Sequence, residues 1–259
     1  MLISMSDSLA TLRLQDGVAI LSLNRPERHN ALVPELLNRL LSLLASKACR
    51  EASVLMLRAE GRSFSTGGDL LGFQQHRDTI GEYSHELVGL LNEFILGLYR
   101  HPAPVICSVQ GMVTGGSLGL LLAADRVVMT RGTTITPWYA EVGFSPDGGW
   151  AAMLPRITGR QRAADWVFTN ASFDAQTCLE LGLVHELVDH QCDIAALAWA
   201  KKVATMKSGS IRQVCRLFRT NVEELAEGLE AERLAFVEQV QTTQALEGID
   251  SFLRRQENG

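Results

Sequence analysis

Several large protein classes are excluded by what this sequence lacks. Its five cysteines, Cys49, Cys107, Cys178, Cys192 and Cys215, are odd in number and scattered, with no C-x-x-C pair. Zinc ribbons and thioredoxin-like redox motifs therefore have no support, and buried reduced thiols in a reducing compartment are expected. Positive charge is also scarce. The formal charge is -5, whereas nucleic-acid binding calls for clustered lysine and arginine. The first residues, MLISMSDSLA, contain no basic segment followed by a long apolar one, so they do not read as a secretory leader. The most apolar stretch, 115–124, is about half of the roughly 20 residues a membrane span needs. No segment matches G-x-x-x-x-G-K-[ST], and no G-x-G-x-x-G opens a helix, which removes two routes to nucleotide binding. Gly/Ser linkers and low-complexity tracts are missing too. A soluble cytoplasmic protein without a metal site, with no nucleic-acid or membrane partner, is the expectation.

The 259 residues, 46% of them hydrophobic, are enough to bury a large core without disulfides. Short apolar runs at 18–23, 54–57, 105–109, 126–130 and 183–188 read as strands, several of them apolar throughout, as in strands covered on both faces. Helical periodicity lies between them. Pro34 opens a segment in which Leu36, Leu37, Leu40, Leu41 and Leu44 share a face. Further helical patterns cover about 82–99, 115–124 and the short piece 150–154. Repeated strand–helix units predict an α/β fold with a mostly parallel sheet. Everything after about residue 193 reads as helix, 223–241 being the longest amphipathic segment there, and forms either a cap or an oligomerisation arm.

Two glycine-rich turns follow strands: GRSFSTGGD at 61–69 and GMVTGGS at 111–117. Thr114 is suited to cap a helix opened by Gly115 and Gly116, whose first N–H groups would be unpaired. Either turn taken alone reads first as a tight connection between a strand and a helix. Two such turns converging would aim two N–H donors at one oxygen, the geometry of an oxyanion hole.

The set NRPERHNAL (24–32), SFSTGGDL (63–70), QGMVTGGS (110–117) with Ala124 and Asp125, VGFSPDGG (142–149), and 175–184 ending in LGLV resembles the enoyl-CoA hydratase/isomerase (crotonase) family. The resemblance spans nearly the whole chain. It implies a crotonase-like spiral of ββα units over 1–195 and a C-terminal helical trimerisation region over 196–259, giving a homotrimer or hexamer. It further implies an acyl-CoA thioester as substrate, with coenzyme A entering as part of that substrate and no separate cofactor. By the same resemblance, the amides of Gly68 and Gly116 would hold the enolate oxygen, and Ser65, Thr66, Gly67, Gly115 and Ser117 would line the acyl channel. Arg25, Arg28 and Ala31 would meet the CoA nucleotide, and 72–89 would build part of the acyl pocket.

The chain departs from the family's hydratases. Their two glutamates correspond to Gly119 and Tyr139 here. The carboxylate that remains at a family catalytic position is Asp147, in SPDGG. P-D-G is also a turn signal, and Asp a helix N-cap, so a structural role stands beside the catalytic one. One acid suffices to move a double bond, and Phe144 and Trp150 are candidates for an apolar wall raising its pKa. The expected activity is a shift of 3-enoyl-CoA, or a ring-derived analogue, to the 2-enoyl isomer, with Tyr139 in the substrate site. Alternatives are a hydratase using Glu141 or His85, a dehalogenase-like nucleophilic aspartate, and a catalytically silent acyl-CoA binder. RNA binding, known in the family, would need lysines along the first helix, which offers only Arg39 and Lys47.

Overall fold

The computed structural model describes residues 8–257. The leader reading of the first residues falls largely on 1–7, outside the described residues.

Nine strands are formed among the described residues: β1 (Ala10–Gln15), β2 (Val18–Leu23), β3 (Val54–Ala59), β4 (Val105–Val109), β5 (Met112–Thr114), β6 (Arg126–Thr130), β7 (Thr134–Thr136), β8 (Phe173–Asp174) and β9 (Glu186–Val188). The helices in chain order are α1 (Pro34–Leu44), α2 (Lys47–Glu51), α3 (Leu70–Gln75), α4 (Ile80–Tyr99), α5 (Leu118–Leu122), α6 (Tyr139–Val142) and α7 (Pro155–Thr158). They continue with α8 (Arg160–Thr169), α9 (Ala175–Glu180), α10 (Cys192–Ala204), α11 (Ser208–Phe218), α12 (Val222–Val240) and α13 (Thr243–Glu257). No helix among the described residues is long and apolar enough to cross a membrane.

The large sheet has the order β1-β2-β3-β4-β6-β9, parallel throughout except for the β1–β2 hairpin. Its apolar runs alternate between two cores. Val18, Ile20, Val54, Met56, Ile106 and Val128 face Cys192, Ala196 and Ala200 of α10. Ala19, Leu21, Leu55, Leu57, Val105, Cys107, Val127 and Met129 belong to the larger core with α1 and α4. Cover on both faces is why these strands read as continuous apolar runs. The division at residue 195 falls inside α10.

The second layer is built in step with the first. Each central strand of the large sheet is followed by a short extended piece and then a helix. Leu32 bridges Gly68 and Ser65 bridges Val113, both in parallel, and β5 pairs β7 in parallel. With β8 antiparallel to β7, these pieces make a smaller layer that advances one place with each unit. That advance is what winds the α/β chain into a spiral, and it sets the starts of α3, α5 and α6 side by side.

Some local expectations need correction. The segment 150–154 is a run of turns, and 115–124 divides into a 3-10 turn (Gly115–Ser117) and α5. Thr114 stands at the N-cap position, yet its side chain makes no capping bond; the Ser117 hydroxyl donates to the Thr114 carbonyl instead, at 2.7 Å. β1, β5, β7 and β8 were not foreseen from the sequence.

Candidate active site

A cavity of about 360 Å³ opens where the starts of α3, α5 and α6 come together. Thr66, Gly67 and Gly68 line it from the first glycine turn, Gly115 and Gly116 from the second, and Tyr139 and Asp147 from the α6 region. Arg28 and Ala31 are also in its wall, with Glu27 and His29. Among the described residues, neither the Gly68 nor the Gly116 amide donates a hydrogen bond in any loop or side-chain contact. For Gly116 this follows from its place in the first turn of a 3-10 helix, where N–H groups have no internal acceptor.

Asp147 stands directly against Gly116. A Cβ added at Gly116 would meet the two carboxylate oxygens at 2.7 and 2.8 Å, so only glycine lets this carboxylate sit there. Tyr139 fixes its orientation: the phenol donates to Asp147 Oδ1 at 2.6 Å, with the Asp147 carbonyl at 3.0 Å from the same hydroxyl. Burial pushes the Asp147 carboxyl up to about 6, the Tyr139 hydrogen bond pulling the other way. Burial, and then the neighbouring Asp147 charge, push the Tyr139 phenol well above its ordinary value, so it stays a donor.

The Asp147 turn is held from behind. Buried Glu232 of α12 accepts the amides of Gly149 (2.7 Å), Ala151 (2.6 Å) and Ala152 (2.8 Å). Burial pushes its carboxyl up to about 7 against the pull of those amides. Trp150 is turned away from the cavity lining; its indole donates to the Gly115 carbonyl at 2.8 Å and its ring meets that of Tyr139 edge-on at 5.9 Å. Phe144, the other expected wall residue, does line the cavity.

Several expected residues stand behind the lining. Ser65 donates to the Asn30 carbonyl at 2.8 Å, and Ser117 to the Ser65 carbonyl at 3.0 Å, so both fully buried hydroxyls brace the loops. Arg25 is committed to Asp69, at 2.7 Å, and to the Ala31 carbonyl at 3.0 Å. Arg28 also reaches Asp69, at 3.2 Å, but remains 41% exposed at the rim. Burial works against the Asp69 charge, yet the two arginines outweigh it and hold the carboxyl below its ordinary value.

The hydratase positions are closed. A Cβ at Gly119 would lie 2.3 Å from the Gly148 carbonyl oxygen and 2.4 Å from Ile95 Cδ1, leaving no room for a glutamate. Glu141 is ion-paired with Arg255 at 2.6 Å, outside the lining. His85 is exposed and outside the lining as well. Among the described residues no group of three or more His, Cys, Asp or Glu could hold a metal ion.

Phe73 and Leu87 of the expected 72–89 segment line the cavity, but sequence reasoning missed the rest of the apolar wall: Leu91 of α4, Trp138, Phe236 of α12, and Phe252 and Leu253 of α13. Trp138 carries a signal only in three dimensions, a left-handed φ of 63° rare for so bulky a residue. Glu232 had a signal in the sequence. Leu225, Leu229, Glu232, Phe236 and Val240 form one buried stripe of α12, in which the glutamate takes a core position.

A family model described as enoyl-CoA hydratase/isomerase matches residues 13–258. The chain is 31% identical over 178 residues to a trans-2-decenoyl-acyl-carrier-protein isomerase of Streptococcus mutans, covering 68% of each. It is 30% identical over 207 residues to a 4-chlorobenzoyl coenzyme A dehalogenase of an Arthrobacter species, covering 75% of this chain and 72% of that one. The crystal structure of an enoyl-CoA hydratase from Bacillus halodurans superposes with a TM-score of 0.88 at 23% identity, covering 94% of this chain and 100% of the other, which is a likeness of fold.

Proposed function

The chain belongs to the enoyl-CoA hydratase/isomerase family, and on that footing we propose that it moves a double bond within an acyl-CoA thioester, taking a 3-enoyl-CoA or a ring-derived analogue to its 2-enoyl isomer. The observation that carries this reading is a single buried carboxylate, Asp147, lying against Gly116 inside the cavity, with its acidity weakened to about 6.

In this mechanism the ionised Asp147 takes a proton from C2 of the 3-enoyl thioester. The electron pair of that C–H bond moves toward the carbonyl, and negative charge collects on the thioester oxygen. The unpaired amides of Gly68 and Gly116 hold that charge; one preorganised donor of this kind is typically worth ~10²–10³ in rate. Protonated Asp147 then returns the proton at C4, leaving the double bond conjugated with the carbonyl. A base with a pKa near working pH serves both halves of the transfer. Tyr139 keeps the carboxylate turned toward the substrate. No cofactor is needed beyond the coenzyme A of the substrate itself.

The blocked space at Gly119 and the surface pairing of Glu141 with Arg255 count against hydration, which needs a second acid–base group. The likeness to a 4-chlorobenzoyl coenzyme A dehalogenase favours one second reading: the Asp147 carboxylate attacks the halogen-bearing ring carbon of an aryl-CoA, the C–Cl bond breaks and chloride leaves, and the covalent aryl ester that results is detectable by mass spectrometry. For the silent-binder alternative, the mark is tight CoA binding with no turnover on any enoyl-CoA. The proposal extends to a cytoplasmic homotrimer or hexamer. Exposed Val214, Leu217 and Phe218 on α11 support self-association through the C-terminal region.

The test is an assay of Asp147→Asn with a 3-enoyl-CoA. A loss of ~10²–10⁴ in kcat is expected for removal of the proton carrier; undiminished turnover overturns the assignment.

A further inference from the structure

The wall beyond the two glycine turns is unusually aromatic, and its arrangement leaves little freedom for what can fill it. Phe73 lies against Gly68 itself: a Cβ at Gly68 would be 2.8 Å from the ring's Cε2. An acyl group whose carbonyl oxygen sits at the Gly68 and Gly116 amides therefore meets an aromatic ring at once. Phe73 does not stand alone. Its centroid is 5.4 Å from that of Phe144 and 6.0 Å from that of Phe236, and those two are 5.2 Å apart. Three mutually touching rings make a continuous end wall, and Phe73 and Phe236 are almost fully buried.

The side wall adds a further aromatic. Trp138 holds a left-handed φ of 63°, with its amide donating to Asn170 Oδ1 at 2.8 Å. A bulky residue kept in that conformation at a cavity points to function. Its ring meets Phe252 of α13 edge-on, at 5.3 Å. The whole cavity measures about 360 Å³, and the thioester end of the CoA arm must share it. A cavity of ~150 Å³ suffices to enclose benzene.

We infer that the acyl end of this cavity selects a compact, ring-bearing acyl group, such as a phenyl or cyclohexenyl carboxylic thioester, over a straight fatty chain. The inference rests on the reading of the cavity as an acyl-CoA site, and it names the substrate class of that site. A planar ring can lie among Phe73, Phe144, Phe236 and Trp138 in the edge-to-face contacts that aromatic groups favour. A straight chain has no ring face or edge to offer those contacts.

Binding of unreactive thioesters tests this without calling on catalysis. Isothermal titration of the native protein with acetyl-, octanoyl-, palmitoyl- and phenylacetyl-CoA should give phenylacetyl-CoA the tightest binding, by about tenfold over the other three. Phe236→Ala, which opens the end wall, should narrow or reverse the gap between phenylacetyl- and octanoyl-CoA. Octanoyl- or palmitoyl-CoA binding as tightly as phenylacetyl-CoA to the native protein overturns the inference, as does equal affinity for free CoA and every thioester. An isomerase that survives such a result loses only its substrate class. The expected binding order with no turnover on any 3-enoyl-CoA would sink the reaction while leaving the ring-selective cavity.

Discussion

Glu232 Oε2 accepts the amide hydrogen of Gly149 at 2.7 Å, so a helix near the end of the chain holds in place the turn that carries Asp147. Two further amides converge on the same carboxylate. A glutamine offers one acceptor oxygen and turns its NH2 toward groups that are themselves donors. Glu232→Gln should cost ~1–3 kcal/mol, a fall of roughly 2–10 °C in Tm for a chain of this size, measured by scanning calorimetry. An unchanged Tm would show that the three bonds contribute nothing.

The Tyr139 hydroxyl favours the ionised form of Asp147, the form a base requires. In the native enzyme kcat/KM on a 3-enoyl thioester should rise with pH through about 6, as this carboxylate ionises. Tyr139→Phe removes the favouring bond and leaves the burial, so the rising limb should move to higher pH. A limb that stays put or moves to lower pH contradicts the pairing.

Asp147 also ties stability to pH. Its carboxyl is raised from 3.8 to about 6 on folding, so between those values the folded protein keeps a proton that the unfolded chain gives up. The resulting stabilisation is full below the lower value and is lost as pH rises through the upper one. Asp147→Asn has no such loss. Its Tm relative to the native protein should therefore climb by several degrees between about pH 5 and about pH 8, even as activity disappears. A Tm difference independent of pH would place this carboxylate in water.

Gly119 is fixed by the carbonyl of Gly148 and by Ile95 rather than by any requirement of its own backbone. Gly119→Ala should cost ~1–3 kcal/mol, as overpacked cores do, and should displace the Asp147 turn. Gly119→Glu should not create a hydratase: incubation with crotonyl-CoA is expected to leave the enoyl absorbance unchanged. A measurable hydration rate would show that the turn can retreat.

The two arginines of the first loop should separate cleanly. Arg25 makes the shorter pair with Asp69 and also holds the Ala31 carbonyl, so Arg25→Ala should lower stability by ~1–3 kcal/mol in urea titrations. Arg28 is the half-exposed partner at the cavity rim. Arg28→Ala should leave the unfolding midpoint nearly unmoved and raise KM for the CoA thioester, the increase shrinking at high salt.

Much of this architecture was legible in the sequence, for identifiable reasons. The buried strands announced themselves because both their faces are covered. The glycine turns and the SPDGG segment carried the family resemblance that singled out Gly68, Gly116 and Asp147, and the structure brings those three residues to one cavity. β1 was missed although Asp16-Gly17, with φ of 50° and 80°, is a strong two-residue hairpin signal; Leu14 on that edge strand is largely exposed, so its apolar character announced no core. β5, β7 and β8 have at most three residues each, too few for a periodicity. The aromatic wall was illegible because Phe236 and Phe252 come from distant helices whose apolar stripes look like ordinary packing. What those stripes face is decided only by tertiary structure.

Phe252 and Leu253 of α13 close one side of the cavity, opposite chemistry that belongs to loops far earlier in the sequence. The recess is therefore whole only while α13 is docked on the core. A molecule seated there takes part of its contact from that helix, so occupancy favours the docked arrangement by mass action.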